Sequence, residues 1–404
     1  VMSEWISCRI NDFGKIVTGK TPPTADKEFY SKGYKFVTPT DLDFNSYYIR
    51  DTERNVSEKA RNRYPNYFLP PDSVSYTCIG ATIGKSCLNR EYVLTNQQIN
   101  SIIPNKSSDA RFIYYYLNVI TPSIIAVAGG AATPIVNKSS FGNIKINLPP
   151  LPIQQKIAKI LFNYDDLIEN NLKRIKLLEE SARLTYEEWF LRFRIDGKKL
   201  EINPESGLPF GWQDVLLTDY IDLLRGVEPG SSKYEEVKTD SNIPFLRVGD
   251  LSKRDSGIYV SKDLANNKII DKDDILLSLD GSPGKVRFGL SGCYSTGIRK
   301  AVSKQKNVSS IFIYNLLNSP YIQGLIEAYA TGATILHAGS SVKKMRLVLP
   351  TDEVLDKYNN IEMKKFQLIL NLSDENKLLK KARDILLPRL MTGMIDTDDM
   401  DIAV

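Results

Sequence analysis

A chain of 404 residues is longer than one hydrophobic core usually serves, so we predict two domains with connecting elements. With 42% hydrophobic residues, 25% charged residues and a net charge of +5, the composition excludes a disordered chain and permits nucleic-acid binding without requiring it. One histidine and four cysteines without C-x-x-C spacing exclude a zinc-finger site.

The first 148 residues contain short segments of alternating polarity that are separated by turn residues. Ser73–Ile79 and Asn143–Leu148 are examples, and both predict strands. The stretch from Ala110 to Ile120 is apolar and long enough for a helix. We therefore predict a mixed α+β domain for this part of the chain.

A long amphipathic helix is predicted directly after this domain. Proline residues at 149–152 break the strand pattern, and neither glycine nor proline occurs between Ile153 and Phe190. About 37 residues at a rise of 1.5 Å give a helix of roughly 55 Å, a length that coiled coils explain. Its apolar face is wide, because one stripe contains Ile160, Leu167 and Leu178 and a second contains Leu161, Ile168, Leu172, Ile175, Ala182 and Trp189.

The second half of the chain repeats the first at an offset of about 200 residues. The corresponding segments are Trp5 to Gly19 and Trp212 to Gly226, Phe36–Leu42 and Phe245–Leu251, Gly84-Lys85 and Gly284-Lys285, and Ala132 to Pro149 and Ala333 to Pro350. A second long helix is predicted from Asp352 to about Leu387, and Pro388 is expected to end it. Its apolar stripe includes Ile361, Leu368, Leu372 and Leu379.

Two helices of equal length with apolar stripes bury those stripes most simply against one another. An approximate twofold relation between the halves makes the pair an antiparallel coiled coil with one α+β domain at each end. The alternative is that each helix packs only on its own domain. A pseudo-twofold protein suits a twofold ligand such as duplex DNA. The copies have diverged, with Thr38 at the place of Arg247, Val136 at that of His337 and Lys138 at that of Gly339, which predicts unlike half-sites.

We divide the chain into five parts on this basis. They are a first α+β domain at residues 1–148, a central helical region at 149–196, a second α+β domain at 197–349, a C-terminal helical region at 350–395 and an acidic tail at 396–404.

The sequence shows no complete catalytic motif. Gly80–Ser86 resembles a phosphate-binding loop, but three residues separate its glycines where that loop requires four. Glu236–Lys238 resembles half of a nuclease site and lacks a Pro-Asp pair upstream. His337 has no sequence pattern of a catalytic base around it, and Asn147–Pro150 has the wrong order for the base-holding motif of a DNA amino-methyltransferase. We expect neither a cofactor nor a metal.

Loops before each long helix are rich in hydroxyl, amide and lysine side chains, which suit contacts with phosphates and base edges. Arginine and glutamine residues elsewhere could supply bidentate contacts to guanine or adenine. An ordinary solvated surface is the alternative at every such position. The candidate DNA-binding residues are Lys20, Thr38, Lys85, Arg90, Gln97, Thr133, Asn137, Lys138, Ser139, Arg247, Lys285, Arg287, Arg299, Lys300, His337, Ser340 and Lys343.

Three segments resemble the conserved regions of type I restriction–modification specificity subunits. They are Leu148–Ile157 with its Leu-Pro-Pro-Leu and Gln-Gln elements, Glu187–Phe190 at the end of the first long helix, and Leu387–Gly393. The order domain–helix–domain–helix is similar as well, so the resemblance covers nearly the whole chain. The chain departs from the pattern at Pro152 and in the second copy, where Leu349-Pro350 has lost the double proline.

This resemblance implies a non-catalytic subunit that reads DNA. Each α+β domain would be a target recognition domain for one half of a bipartite site. The coiled coil would be a spacer that also docks two methyltransferase subunits, and restriction subunits would join the full complex. The spacer residues would include Ile160, Leu167, Ile175, Leu178, Ile361, Leu368, Leu372 and Leu379. A coiled-coil adaptor that binds only proteins and a stand-alone DNA methyltransferase stay open as alternatives.

The cellular location follows from what the sequence lacks. No charged-then-apolar signal precedes the first domain, and no apolar run approaches the roughly 18–20 residues of a membrane span. The cysteine spacing is typical of buried or idle thiols in a reducing compartment. We expect a soluble, cytoplasmic protein without a membrane partner.

Overall fold

The computed structural model describes residues 5–42, 47–128, 134–253, 256–333 and 335–397. The chain forms two compact units. Unit 1 comprises residues 1–169 and 376–404, and unit 2 comprises residues 170–375. Each unit has the predicted α+β character, and one set of sheets recurs in both. The five-part division of the chain stays a prediction.

Unit 1 contains two four-stranded sheets and a two-stranded ribbon. Its strands are β1 Ile6–Arg9, β2 Gly14–Thr18, β3 Tyr34–Val37, β4 Arg54–Val56, β5 Phe68–Leu69, β6 Val74–Thr77, β7 Ser86–Leu88, β8 Val93–Thr95, β9 Ile99–Pro104 and β10 Lys145–Leu148. The sheet orders are β2-β9-β6-β7 and β4-β3-β8-β5, and β1 pairs with β10. Strands β3 and β8 run parallel, whereas the other paired strands of unit 1 run antiparallel.

Helices α1 Glu58–Arg63, α2 Ala110–Val127 and α3 Lys138–Gly142 complete the first domain. The Asp109 side chain caps α2 by accepting hydrogen bonds from two backbone amides of its first turn. By length and composition alone, α2 is apolar enough to cross a membrane, which the sequence analysis did not expect. Its residues from Phe112 to Leu117 are buried in the core of unit 1, and this burial explains why the helix is so apolar.

Unit 2 repeats the architecture of unit 1. Its strands are β11 Arg194–Ile195, β12 Lys198–Lys199, β13 Gln213–Leu216, β14 Ile221–Arg225, β15 Asn242–Leu246, β16 Tyr259–Ser261, β17 Ile269–Ile270, β18 Ile275–Ser278, β19 Asp280–Gly281, β20 Val286–Arg287, β21 Gly292–Tyr294, β22 Ile298–Ser303, β23 Leu336–His337 and β24 Arg346–Leu349. The orders β14-β22-β18-β20 and β16-β15-β21-β17 and the pair β13-β24 match the sheets of unit 1. The shorter helices are α5 Leu217–Tyr220, α6 Asp250–Lys253, α7 Ser310–Leu317 and α8 Pro320–Ala328.

The two long helices are α4 Leu151–Tyr186, which continues as a π-helical turn over Glu187–Leu191, and α9 Asp352–Met391. In unit 1, Arg383 Nη1 binds Asp165 Oδ1 and Lys156 Nζ donates to Thr397 O. These two contacts show that the helices run antiparallel there.

The same direction holds in unit 2. Lys365 Nζ lies 3.0 Å from Ser181 Oγ, and the rings of Tyr358 and Trp189 are 5.7 Å apart. The predicted antiparallel pairing is therefore confirmed within each unit, and the alternative that each helix packs only on its own domain is wrong.

Burial on α4 does not follow one apolar stripe alone, because Ile153 and Ile157, which continue the first stripe towards the start of the helix, are buried. Of the second stripe, Leu161, Ile175 and Ala182 on α4 and Trp189 in the π-helical turn are buried, whereas Leu172 is 39% exposed. Leu167 is 49% exposed. On α4, Ile160 and Leu178 are partly buried. On α9, Leu372 is buried, Leu379 is partly buried, and Ile361 and Leu368 are exposed. A stripe spaced three and four apart can lie one residue to either side of the true seam, because 3.6 residues complete a turn.

The end of α9 also differs from the prediction. Pro388 lies inside the helix, which continues to Met391. A proline removes only one backbone donor, and burial of Leu390 and Met391 in the unit 1 core stabilises the final turn. Gly393 follows with φ +68, the left-handed conformation typical of a helix end. The acidic tail beyond residue 397 lies outside the described residues.

All four cysteines are free thiols, and Cys78, Cys87 and Cys293 are buried as predicted. Burial raises the pKa of Cys78 and of Cys293 to about 11, so these thiols are largely protonated at neutral pH.

Candidate nucleic-acid interface

Each unit presents a glycine–lysine turn between two antiparallel strands. Gly84 follows β6 with φ +103, and Gly284 follows β18 with φ +92, so both adopt the left-handed conformation that favours glycine. A Cβ would lie 2.7 Å from Thr121 Cγ2 in unit 1 and 2.7 Å from Gln323 Oε1 in unit 2. The fold itself therefore explains both glycines, and phosphate binding by the turns stays a prediction.

The lysine of the first turn forms a hydrogen bond with a neighbouring loop. Lys85 Nζ donates to Pro39 O at 3.0 Å and is only half-exposed. In that loop, the Thr38 amide and hydroxyl donate to Asp41 Oδ2 at 2.8 and 2.6 Å. Both candidates, Thr38 and Lys85, are thus held by protein groups.

Unit 2 repeats this loop with a larger cation. The Arg247 amide donates to Asp250 Oδ2 at 2.9 Å, and Arg247 Nε lies 3.3 Å from the same oxygen. The shared pattern confirms that Arg247 stands at the place of Thr38. Its side chain is exposed, whereas Lys285 on the adjacent turn is half-buried.

The loops before the long helices are polar and exposed, as predicted. The Asn137 side chain accepts a hydrogen bond from the Ser140 amide at 2.8 Å and caps α3, whose first residues Lys138 and Ser139 are exposed. In unit 2, Ser340 and Lys343 are exposed on a 3-10 helix over Gly339–Lys344. Candidate Thr133 lies outside the described residues.

The other unit 1 candidates lie apart from this loop. The Arg90 guanidinium stacks over the Tyr48 ring at 4.1 Å and lies 4.0 Å from Glu169 Oε2. Gln97 accepts a hydrogen bond from the Thr21 hydroxyl, and Lys20, which directly precedes Thr21, is exposed. Arg90 therefore lines an aromatic and ionic surface pocket of about 390 Å³ and does not belong to the polar loop.

Two cations of unit 2 are bound by neighbouring protein groups. Arg287 Nε donates to Leu251 O at 2.8 Å, and Lys300 Nζ lies 2.7 Å from Asp274 Oδ2. Both side chains are only partly exposed. These contacts use part of their hydrogen-bonding capacity within the fold.

His337 and Arg299 share one carboxylate that the sequence analysis missed. His337 Nδ1 lies 2.8 Å from Asp280 Oδ1, and Arg299 Nη2 lies 3.5 Å from Asp280 Oδ2. Burial lowers the pKa of the Arg299 guanidinium, and Asp280 opposes that shift. The backbone pairing of β19 with β23 brings Asp280 to His337, and no local sequence signal marks a contact between residues 57 positions apart.

A second missed residue lies on the neighbouring strand. Arg225 is paired with Arg299 across β14 and β22 and is exposed. The corresponding pair in unit 1 is Thr18 with Asn100, so the second unit is the more cationic here. Two arginines in register on adjacent strands are a recognisable signal once the strand pairing is known.

Among the described residues, no group of three or more His, Cys, Asp or Glu side chains could hold a metal ion. The surface instead offers hydroxyls, amides and cations on loops at equivalent places of the two units. Such groups can bind phosphates and base edges. This arrangement is therefore suited to recognition.

Comparison with known proteins gives matches in both halves of the chain. The family model for the type I restriction modification DNA specificity domain matches residues 2–180 and 209–371. The MjaIX specificity subunit of a type I restriction enzyme from Methanocaldococcus jannaschii is 28% identical over 99% of this chain and 95% of its own length. The HindI specificity subunit from Haemophilus influenzae is 32% identical over 43% of this chain and 39% of its own length. The S subunit of a type I restriction–modification system from M. genitalium has a similar fold, with a TM-score of 0.58, 16% identity and 96% coverage of each chain.

Proposed function

The chain belongs to the type I restriction–modification specificity family, and we propose that it reads an asymmetric, bipartite DNA target with one half-site for each unit. It is a specificity subunit, which in these systems is non-catalytic, so the resemblance inferred from the sequence is confirmed. The stand-alone methyltransferase is thereby set aside. We place the protein in the cytoplasm, where its DNA target lies.

The observation that carries this proposal is the repetition of one architecture with different side chains. Both units have the same sheet orders and the same glycine–lysine turn. At equivalent positions of the two units, however, Thr38 stands against Arg247 and Thr18 against Arg225. Two units with the same architecture and different exposed side chains support two DNA-binding surfaces of related geometry and different sequence preference.

The spacing of the half-sites is proposed from the helices. A helix of 36 residues, such as α4, is about 54 Å long. One turn of duplex DNA, about 34–36 Å or 10–10.5 base pairs, is shorter than this length. We therefore expect half-site centres about one turn apart.

Partner binding is proposed for an exposed apolar stripe that both long helices carry. Leu177 and Leu184 on α4 are 69% and 44% exposed, and Leu378 and Ile385 on α9 are 69% and 46% exposed. Each pair occupies the same positions counted from the start of its helix. Exposed apolar residues at repeated positions favour two copies of one partner, and we assign them to two methyltransferase subunits. In the complete assembly, restriction subunits would join that complex.

Methylation mapping of DNA from a host that carries the full system tests the proposal. We expect modified adenines in a split, asymmetric motif, whereas a contiguous palindrome would contradict it. Replacing residues 1–148 with the corresponding domain of a relative should change one half-site and leave the other intact. A change in both halves would show that the units do not read independently.

Direct DNA binding is a separate measurement. A gel shift of the chain with its methyltransferase against random duplex at two salt concentrations should show a steep salt dependence, because phosphate contacts release counterions. A protein-only adaptor would give no shift at either concentration.

A further inference from the structure

The two units differ in chemistry at one exposed position that has the same backbone setting in both. In unit 1, Ile135 forms an antiparallel bridge with Ile79. In unit 2, His337 pairs in the same way with Asp280. An aliphatic pair in one copy is thus replaced by a polar pair in the other.

The equivalence of these positions rests on the hydrogen bonds of the next residue. Val136 N donates to Cys78 O at 2.9 Å, and Ala338 N donates to Leu279 O at 2.8 Å. The structure therefore corrects the sequence comparison, which matched His337 with Val136. Loop lengths differ by one residue between the copies, and such a shift is invisible without the strand register.

His337 is held firmly although its ring is exposed. Its backbone exchanges hydrogen bonds with Thr331, with His337 N to Thr331 O at 2.8 Å and Thr331 N to His337 O at 3.1 Å. The imidazole is 62% exposed, and Asp280 at 2.8 Å from Nδ1 is itself only 20% exposed. Because a carboxylate accepts hydrogen bonds, it holds the proton on Nδ1 and leaves Nε2 to meet a ligand.

The neighbouring strands of the two units also differ in the charge of their side chains. Asp280 is also 3.5 Å from Arg299, which is paired with exposed Arg225. In unit 1 the corresponding strands carry Asn100, which accepts a hydrogen bond from the Thr18 hydroxyl at 2.7 Å. Unit 2 therefore surrounds the position with ionic groups, whereas unit 1 surrounds it with neutral ones.

We propose that His337, positioned by Asp280, specifies one base pair of the unit 2 half-site through a hydrogen bond between Nε2 and a base edge. Ile135, which is 57% exposed, packs against a thymine methyl group at the corresponding place of the other half-site. This inference rests on the proposed function, because it assigns a base-reading role within one half-site. Asp280 is a positioning residue, since it acts through the imidazole.

With its proton on Nδ1, the imidazole accepts a hydrogen bond at Nε2 from a donor on a base edge, whereas a contact with a phosphate oxygen requires a second proton on Nε2. The base contact and the phosphate contact predict different effects of mutation. Loss of a base contact relaxes the preference at a single base pair, whereas loss of a phosphate contact weakens binding to all sequences and lowers its salt dependence. Base preference is therefore the decisive readout.

The test uses the complex of this chain with its methyltransferase and duplexes that carry the target mapped for the parent complex. Each base pair of the target is substituted in turn, and dissociation constants are measured for the parent and for His337→Ile, Asp280→Asn and Ile135→His. For His337→Ile we expect the discrimination at one base pair of the unit 2 half-site to fall about tenfold. Asp280→Asn should reduce discrimination at that same base pair, because an amide no longer fixes the imidazole tautomer.

The reciprocal variant is the matched control. Ile135→His should alter one position of the other half-site and leave the unit 2 half-site unchanged, and each variant should keep the preferences of the untouched unit, which shows that it is folded. Uniform loss across all duplexes after His337→Ile, or unchanged discrimination, would overturn the proposal. A parent complex without a bipartite target would instead refute the proposed function.

Discussion

At the scale of single residues, the helix pair of unit 1 contains a buried ion pair. The side chains of Asp165 and Arg383 are 4% and 15% exposed, and their oxygen and nitrogen atoms are in contact. The Tyr115 hydroxyl donates to the other carboxylate oxygen. Burial raises the pKa of the Asp165 carboxyl even though Arg383 and Tyr115 favour its charged form. The carboxylate therefore depends on both partners to remain charged in this setting.

We predict that Arg383→Met lowers the free energy of unfolding by about 3–5 kcal/mol, because it leaves a buried carboxylate without its counter-ion. The triple variant Asp165→Leu, Tyr115→Phe, Arg383→Met should recover most of this loss, since no polar group then lies unpaired. Urea unfolding followed by circular dichroism measures both. If Arg383→Met changed stability by less than about 1 kcal/mol, the pair would behave like an exposed one.

At the level of secondary-structure elements, neighbouring apolar positions on each long helix differ in how far they are buried. On α4, Leu161 is fully buried and Leu167 is 49% exposed. Leu161→Ala should cost about 2–5 kcal/mol of unfolding free energy, whereas Leu167→Ala should cost about 0.5 kcal/mol.

The equivalent comparison on α9 is Phe366→Ala against Leu368→Ala, because Phe366 is 1% exposed and Leu368 is 37% exposed. We expect the phenylalanine variant to be the more destabilised of the two. Equal losses within either pair of variants would contradict the difference in burial between its two positions.

The sequence could predict these helices but not their seam, and the reason is physical. On α9, Glu362 is fully buried and bound to Lys365 Nζ of the same helix at 2.7 Å, and Arg383 is bound to Asp165 of α4. A search for apolar periodicity passes over charged seam positions and selects the neighbouring apolar stripe. The pair of Asp165 and Arg383 can be recognised only after the partner helix is known.

At the polar sites as well, the sequence predicted individual candidate residues but not the contacts between distant segments. Residue chemistry selected His337 and Arg299 as candidate DNA contacts, because histidine and arginine side chains can form hydrogen bonds with base edges. Their shared partner Asp280 and the aligned Arg225 were missed, since both depend on strand pairing between distant segments. The repeat itself was visible in the sequence, and the matching sheets of the two units confirm it.

For the chain as a whole, internal repetition supports the proposed binding of two methyltransferase subunits. A stripe that occurs once in each half offers two equivalent docking surfaces, one with Leu177 and Leu184 and one with Leu378 and Ile385. A charged residue introduced into one stripe should exclude one partner and spare the other, because burying an unpaired carboxylate at an interface is costly. Stoichiometry is therefore a more informative measurement than affinity.

We predict that Leu184→Glu and Ile385→Glu each convert a complex of one specificity subunit with two methyltransferase subunits into a one-to-one complex. The double variant should bind none, and native mass spectrometry distinguishes the three states. Val237→Glu, which adds the same charge at a 72% exposed position outside both long helices, is the control and should keep two partners. If both single variants also kept two, the methyltransferase would dock elsewhere on the chain, and the exposed leucines would need another partner.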